Sequence, residues 1–181
     1  MSPRRWRRAL VLGGTRSGKS EFAEGLVDGE KAVRYIATGW RDTGDAEWDR
    51  RIEEHRARRP PGWTTVEVGA DPWQLPAVLD AAEPGQLLLV DELGTWVGSV
   101  LGVRDPTAVP RAVADLAAAV RRCAATLVLV SPEVGLAPVA MTPSGRAFVD
   151  ALGTTNIAVA AACDVVTLVV AGIPVRVKGD L

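Results

Sequence analysis

"VLGGTRSGKSEF", residues 11–22, sets glycine, serine and a single lysine directly after an apolar run. Inside it, Gly13-Gly14-Thr15-Arg16-Ser17-Gly18-Lys19-Ser20 satisfies G-x-x-x-x-G-K-[ST] without exception. The preceding "RALVLG" (8–13) predicts a short strand, and "KSEFAEGLVDG" (19–29) predicts a helix. Strand, glycine-rich loop and helix in that order form a cradle for phosphate. Glycines let successive backbone N–H groups turn inward, and the helix start adds its positive dipole end. Lys19 would reach the β- and γ-phosphates, and Ser20 would ligate Mg²⁺. The plainer reading is a glycine-rich turn that caps a helix. The chain has three lysines (Lys19, Lys31, Lys178) against 18 arginines, so a lysine at this position stands out.

Working outward, strands and helices alternate. "AVRYIAT" (32–38) predicts a second strand, and "DAEWDRRIEEHRARR" (45–59) a charged helix closed by Pro60 and Pro61. "TTVEV" (64–68) is strand-like, 72–82 helical, and "QLLLVDE" (86–92) a strongly apolar strand. Residues 106–123 form an alanine-rich helix and "ATLVLVS" (125–131) another strand. A helix near 144–162 follows, then "VVTLVVAG" and "IPVRVK". The alternation predicts an α/β fold: a P-loop NTPase-like, open, mainly parallel sheet with helices on both faces. Ligands then gather at the C-terminal edge of the strands.

The 181 residues suffice for one domain, so residues 1–181 are expected to form a single P-loop domain. At 48% hydrophobic and 24% charged the composition is globular, and a net charge of −1 gives no support to a general nucleic-acid or membrane-surface binder. The basic start "MSPRRWRRALVLGG" turns apolar for too few residues to be a secretory signal, and no stretch approaches a membrane span. Cys123 and Cys163 lie in apolar segments and read as buried thiols of a reducing compartment, so a cytoplasmic location is expected.

Two further constellations carry chemistry. In "LLLVDE", Asp91 and Glu92 close an apolar strand as a Walker B carboxylate does, with Asp91 as a second Mg²⁺ ligand. The competing reading makes Asp91 the N-cap of a helix over "ELGTWVGSV". His55 is the only histidine, and Arg51 and Arg59 stand four residues to either side of it on one helical face. Those cations would favour a neutral, nucleophilic imidazole and neutralise a triphosphate under attack. The plainer reading is a solvated helix with charge pairs such as Glu54 with Arg58.

Taken together these segments resemble the bifunctional adenosylcobinamide kinase/adenosylcobinamide-phosphate guanylyltransferase family of cobalamin biosynthesis. "GGTRSGKS", "YIATG" (35–39), "RIEEHRARRP" with Trp63, "LLVDELGTW", "EVGLAPV" (133–139), Arg146-x-Phe148-x-Asp150, Gly153, Asn156, Ala162-x-Asp164-x-Val166 and "AGIPVRVK" appear in the family's order over nearly the whole chain. The resemblance implies two steps. A nucleoside triphosphate, ATP or GTP, phosphorylates adenosylcobinamide. GMP from GTP then passes through a guanylyl-histidine, here at His55, to the new phosphate, giving adenosyl-GDP-cobinamide. It also implies a homo-oligomer, often a trimer.

Four positions depart from the family pattern. Pro132 stands where many relatives have asparagine, and Val149, Ile157 and Ser99 stand where arginine, glutamine and asparagine are common in the family. Where these positions touch the corrinoid, its phosphate or the base, the expectation is either altered acceptor recognition or one weakened half-reaction. A small P-loop metabolite kinase with an incidental His55, or a nucleotide-binding protein without an acceptor, are the alternatives.

Overall fold

The computed structural model describes residues 5–30, 32–39, 60–69, 71–103, 105 and 107–181. The helix expected over 45–59, with His55, Arg51 and Arg59, lies outside the described residues. Among the described residues the strands are β1 (Arg8–Gly13), β2 (Arg34–Ala37), β3 (Thr64–Glu67), β4 (Leu87–Asp91), β5 (Thr126–Pro132), β6 (Val165–Val170) and β7 (Ile173–Lys178). The helices are α1 (Lys19–Gly25), α2 (Gln74–Asp80), α3 (Leu93–Gly102), α4 (Ala108–Arg122) and α5 (Pro143–Ala162).

The seven strands form one sheet in the order β3-β2-β4-β5-β1-β6-β7. All pairings are parallel except β6 with β7. The antiparallel exception follows from its connection. Ala171 (φ 50°) and Gly172 (φ 79°) make a two-residue turn with both residues left-handed, which suits a twisted hairpin and leaves no length for a crossover.

The alternating side chains of the central strands feed two cores. On one face Leu88, Val90, Leu127 and Leu129 pack with residues of α2, α3, α4 and α5, including Leu79, Trp96, Leu116 and Leu152. On the other, Leu87, Leu89, Val128 and Val130 pack with Ala23 of α1 and with Val27, Tyr35 and Trp6. This two-sided burial explains why these strands read as unbroken apolar runs.

Helix ends follow local chemistry. Pro143 occupies the first turn of α5, and the Thr142 hydroxyl accepts from Gly145 N–H at 3.1 Å. The helix expected over 19–29 stops at Gly25. Leu26 and Val27 shift to tighter i−3 bonds, and Gly29 turns left-handed at φ 79°. The stretch "LGTWVGSVLG", weighed above only as a helix that Asp91 would cap, is a ten-residue helix in its own right. Trp96 anchors it by donating its indole N–H to Pro72 O at 2.8 Å.

Candidate nucleotide site

β1 delivers the glycine-rich loop to the C-terminal edge of the sheet. Gly13 pairs with Pro132 of β5, and Asp91 at the end of β4 pairs with Val130 on the other side of the same strand. One strand therefore separates the loop from the carboxylate, a gap of about 10 Å at ordinary strand spacing. Helix α1 spans that gap, bringing Ser20 Oγ to 3.4 Å from Asp91 Oδ1.

The loop needs its glycines. A Cβ on Gly13 would collide with Ser17 Oγ and stand 2.8 Å from Val169 O. Gly18 sits at φ 89° and starts α1, its carbonyl accepting from Phe22 N–H at 2.9 Å. Arg16 is also left-handed, at φ 56°. The loop closes on itself through Ser17 N–H to Gly14 O at 3.2 Å, and the β6–β7 turn braces it through Gly172 N–H to Ser17 O at 2.8 Å. Thr15 and Arg16 face solvent. Ser17 is buried, and its hydroxyl has no hydrogen-bond partner among the described residues.

Lys19 Nζ lies 3.6 Å from Glu92 Oε2 and 3.5 Å from Gly14 O, with only 12% of its side chain exposed. Its ammonium is thus held over the loop by a carboxylate and a carbonyl, the kind of partners that phosphate oxygens replace.

Asp91 is not a helix cap. The cap position of α3 falls on Glu92, and no side chain caps that helix. The Asp91 carboxylate instead accepts from Tyr35 OH and faces Ser20. Glu92 is fixed by its backbone: its N–H donates to Thr38 Oγ1 at 3.0 Å, and Thr95 Oγ1 donates to its carbonyl at 2.9 Å. Thr38 Oγ1, itself buried, lies 2.5 Å from both that carbonyl and Thr95 Oγ1. This hydroxyl network ties β2 to the β4–α3 junction.

A hydroxyl and a carboxylate 3.4 Å apart are hard oxygen donors of the kind Mg²⁺ takes when phosphates and water complete its shell. The donor set fits that ion. Among the described residues no group of three or more His, Cys, Asp or Glu side chains is placed to hold a metal without such help.

Residue identity alone did not single out Tyr35, Thr38, Thr95 or Gly172. Tyr35 carried one signal, being the only tyrosine of the chain and lying two residues from the register partner of Asp91. A separate apolar cleft of about 520 Å³ opens between α5 and β7, lined by Leu12, Glu133, Asn156, Ile157, Val177 and Lys178. Neither Lys19 nor Asp91 reaches it. Asn156 is satisfied there, accepting from Ser131 Oγ at 2.6 Å and donating to Pro132 O at 3.0 Å.

A mainly parallel sheet whose glycine-rich strand-loop-helix unit faces a carboxylate strand defines a P-loop nucleotide-binding α/β protein. The cobinamide kinase / cobinamide phosphate guanyltransferase family matches residues 9–177, and the chain belongs to that family. It is 42% identical over 175 residues to the bifunctional adenosylcobalamin biosynthesis protein CobP of Pseudomonas aeruginosa, covering 96% of this chain and 98% of that one. It is 39% identical to the bifunctional adenosylcobalamin biosynthesis proteins CobU of Escherichia coli and Salmonella typhimurium, over 93% of this chain and 98% of each relative. Among solved structures, the Pyrococcus horikoshii OT3 protein PH0250 shares the fold at a TM-score of 0.52 and 7% identity, over 97% of this chain and 87% of its own. The P4 protein of bacteriophage phi6 aligns at a TM-score of 0.46 and 12% identity, with 52% of that chain covered. No helix among the described residues is long and apolar enough to cross a membrane.

Proposed function

We propose that this chain phosphorylates adenosylcobinamide with a nucleoside triphosphate and then transfers GMP from GTP to the new phosphate, yielding adenosyl-GDP-cobinamide. The observation that carries the reading is the joining of two facts: a complete phosphate loop facing a carboxylate strand, and family membership along 9–177.

In the first step the acceptor hydroxyl oxygen bonds to the γ-phosphorus as the bridging β–γ bond breaks. Nucleoside diphosphate leaves, and the hydroxyl gives up its proton. The backbone of Gly13, Gly14, Thr15, Arg16, Ser17 and Gly18 cradles the phosphates. Lys19 exchanges Glu92 and Gly14 O for phosphate oxygens and holds the charge that builds on them. Ser20 and Asp91 would hold Mg²⁺, which supplies charge neutralisation on the phosphates when bound. In the second step an imidazole nitrogen of His55 attacks the α-phosphorus of GTP and releases pyrophosphate. A phosphate oxygen of the acceptor then displaces the imidazole. Arg51 and Arg59 would stabilise the triphosphate charge during that attack. A single domain, a cytoplasmic setting and a trimeric assembly complete the reading; they rest on composition and on the family.

The test uses GTP labelled at its α-phosphate. Wild-type protein is expected to retain label through an acid-labile, base-stable phosphoramidate bond. His55→Asn is expected to lose the label and guanylyl transfer while still phosphorylating adenosylcobinamide. Label that survives in that variant, or maps to a lysine or serine, overturns the assignment.

A further inference from the structure

The loop joining β5 to α5, residues 133–142, combines a fixed backbone with uncovered apolar side chains. Its first residue is bonded to the phosphate loop's own strand, Glu133 N–H donating to Gly13 O at 3.0 Å. Glu133 Oε1 accepts from Gly135 N–H at 2.7 Å, and Ala137 N–H donates to Val134 O at 3.3 Å. At the far end Arg146 Nη1 donates to Ala140 O at 3.2 Å and Met141 O at 3.0 Å, and Thr142 caps α5. Yet Leu136 is 83% exposed, Val139 83% and Met141 95%. Burying three such side chains is worth several kcal/mol, so displaying them from an anchored loop marks a contact surface.

The position of the loop selects the occupant. It leaves the sheet at the C-terminal edge that carries Gly13, so it lies on the same edge of the molecule as the phosphate loop. The phosphate loop is polar and takes the donor. The acceptor proposed above is a bulky macrocycle rimmed with methyl groups, far larger than its reacting hydroxyl. Resting on that functional reading, we propose that Leu136, Val139 and Met141 form the docking surface for the apolar face of the corrinoid acceptor, holding its tail hydroxyl toward Lys19. A contact with the non-reacting ring binds the ground state and the transition state alike, so its loss shows in KM rather than in kcat.

The test is the triple variant Leu136→Ser, Val139→Ser, Met141→Ser in the full chain. All three side chains face solvent, so folding is expected to be unchanged. With adenosylcobinamide as acceptor, KM in the phosphorylation step and the dissociation constant by equilibrium dialysis are expected to rise about tenfold or more. The kcat is expected to stay within about twofold, and covalent labelling by GTP to stay unchanged. Unchanged KM and dissociation constant in an active variant overturn the docking surface alone. A rise in KM accompanied by a lower mass in sedimentation also overturns it, assigning the loop to a contact between copies. Wild-type protein that phosphorylates no adenosylcobinamide overturns the functional reading, and the docking surface with it.

Discussion

Ser20 Oγ and Asp91 Oδ1 meet at 3.4 Å although 71 residues separate them and β5 stands between β1, which leads into Ser20's helix, and β4. That meeting predicts how Asp91→Asn behaves. The amide keeps the shape but lacks the charge a divalent cation needs. Half-saturating Mg²⁺ for triphosphate turnover is expected to rise about tenfold or more, with nucleotide affinity in the absence of metal little changed. A metal titration of the phosphorylation rate checks this. An unaltered Mg²⁺ response would leave Asp91 without a metal role.

Lys19 and Glu92 form a half-buried ion pair at 3.6 Å that the incoming phosphates must break. Lys19→Ala is expected to cost on the order of a hundredfold or more in triphosphate-dependent turnover, with the folded circular-dichroism spectrum retained. Glu92→Gln has the opposite effect on binding. Without the competing carboxylate, a non-hydrolysable triphosphate in metal-free buffer is expected to bind up to about fivefold tighter, the range of a partly exposed pair. Isothermal titration of both variants separates these outcomes.

Thr38 is the buried junction between β2 and the start of α3. Thr38→Val would strand the Glu92 N–H, which now donates to Thr38 Oγ1 at 3.0 Å. A loss of about 1–3 kcal/mol is expected, or several degrees in the thermal midpoint for a chain of this size. Thr38→Ser keeps the hydroxyl and should recover most of the stability. Phosphoryl transfer should follow the same order, because the network positions Glu92 and its neighbour Asp91.

Asp164 gives the fold an acid limit. Burial works against its charge, but the N–H groups of Arg7 and Arg8, both 2.9 Å from Oδ2, outweigh it with help from the Arg8 and Lys178 charges. Its carboxyl is therefore held below the ordinary value of 3.8. The sign follows from linkage. The stabilisation is complete above the unfolded value and is lost as pH falls through the lowered folded one. Urea midpoints of wild type and Asp164→Asn are expected to differ at neutral pH, with the gap closing as pH drops below 3.8.

How far the sequence reaches depends on the range of the interaction. β1, β4, β5 and β6 declare themselves because both faces are buried and most of their interior residues are apolar, Ser131 and Thr167 being the buried exceptions. The P-loop declares itself because its chemistry is written in eight consecutive residues. The β7 antiparallel turn was partly legible in "AGIPV", where Gly172 permits a two-residue connection. Tyr35, Thr38 and Thr95 were not legible as site residues. Tyr35 and Thr38 reach Asp91 and Glu92 only after β2 lies against β4, and that pairing joins segments more than fifty residues apart. Thr95 bonds the Glu92 carbonyl locally, three residues on, and matters only because Thr38 joins the same pair. For Asp91 the start of α3 one residue later removes the cap reading, which the sequence alone could not do. The four departures from the family pattern scatter in space. Ile157 is exposed at the apolar cleft, Pro132 packs against Gly94 and receives the Asn156 amide, and Ser99 donates back to Thr95 O within its own helix. Nothing in the structure explains Val149.

The bond from Gly172 N–H to Ser17 O makes one amide proton a built-in reporter of the phosphate loop. It belongs to an edge hairpin, outside the nucleotide cradle and 155 positions further along the chain, yet its only route to exchange with solvent is release of the Ser17 carbonyl. A ligand that tightens the loop therefore slows exchange at Gly172. A substitution that loosens the hairpin shows itself first as a faster-breathing anion cradle. The occupancy of the donor site is thus readable by magnetic resonance at a residue outside the eight-residue motif.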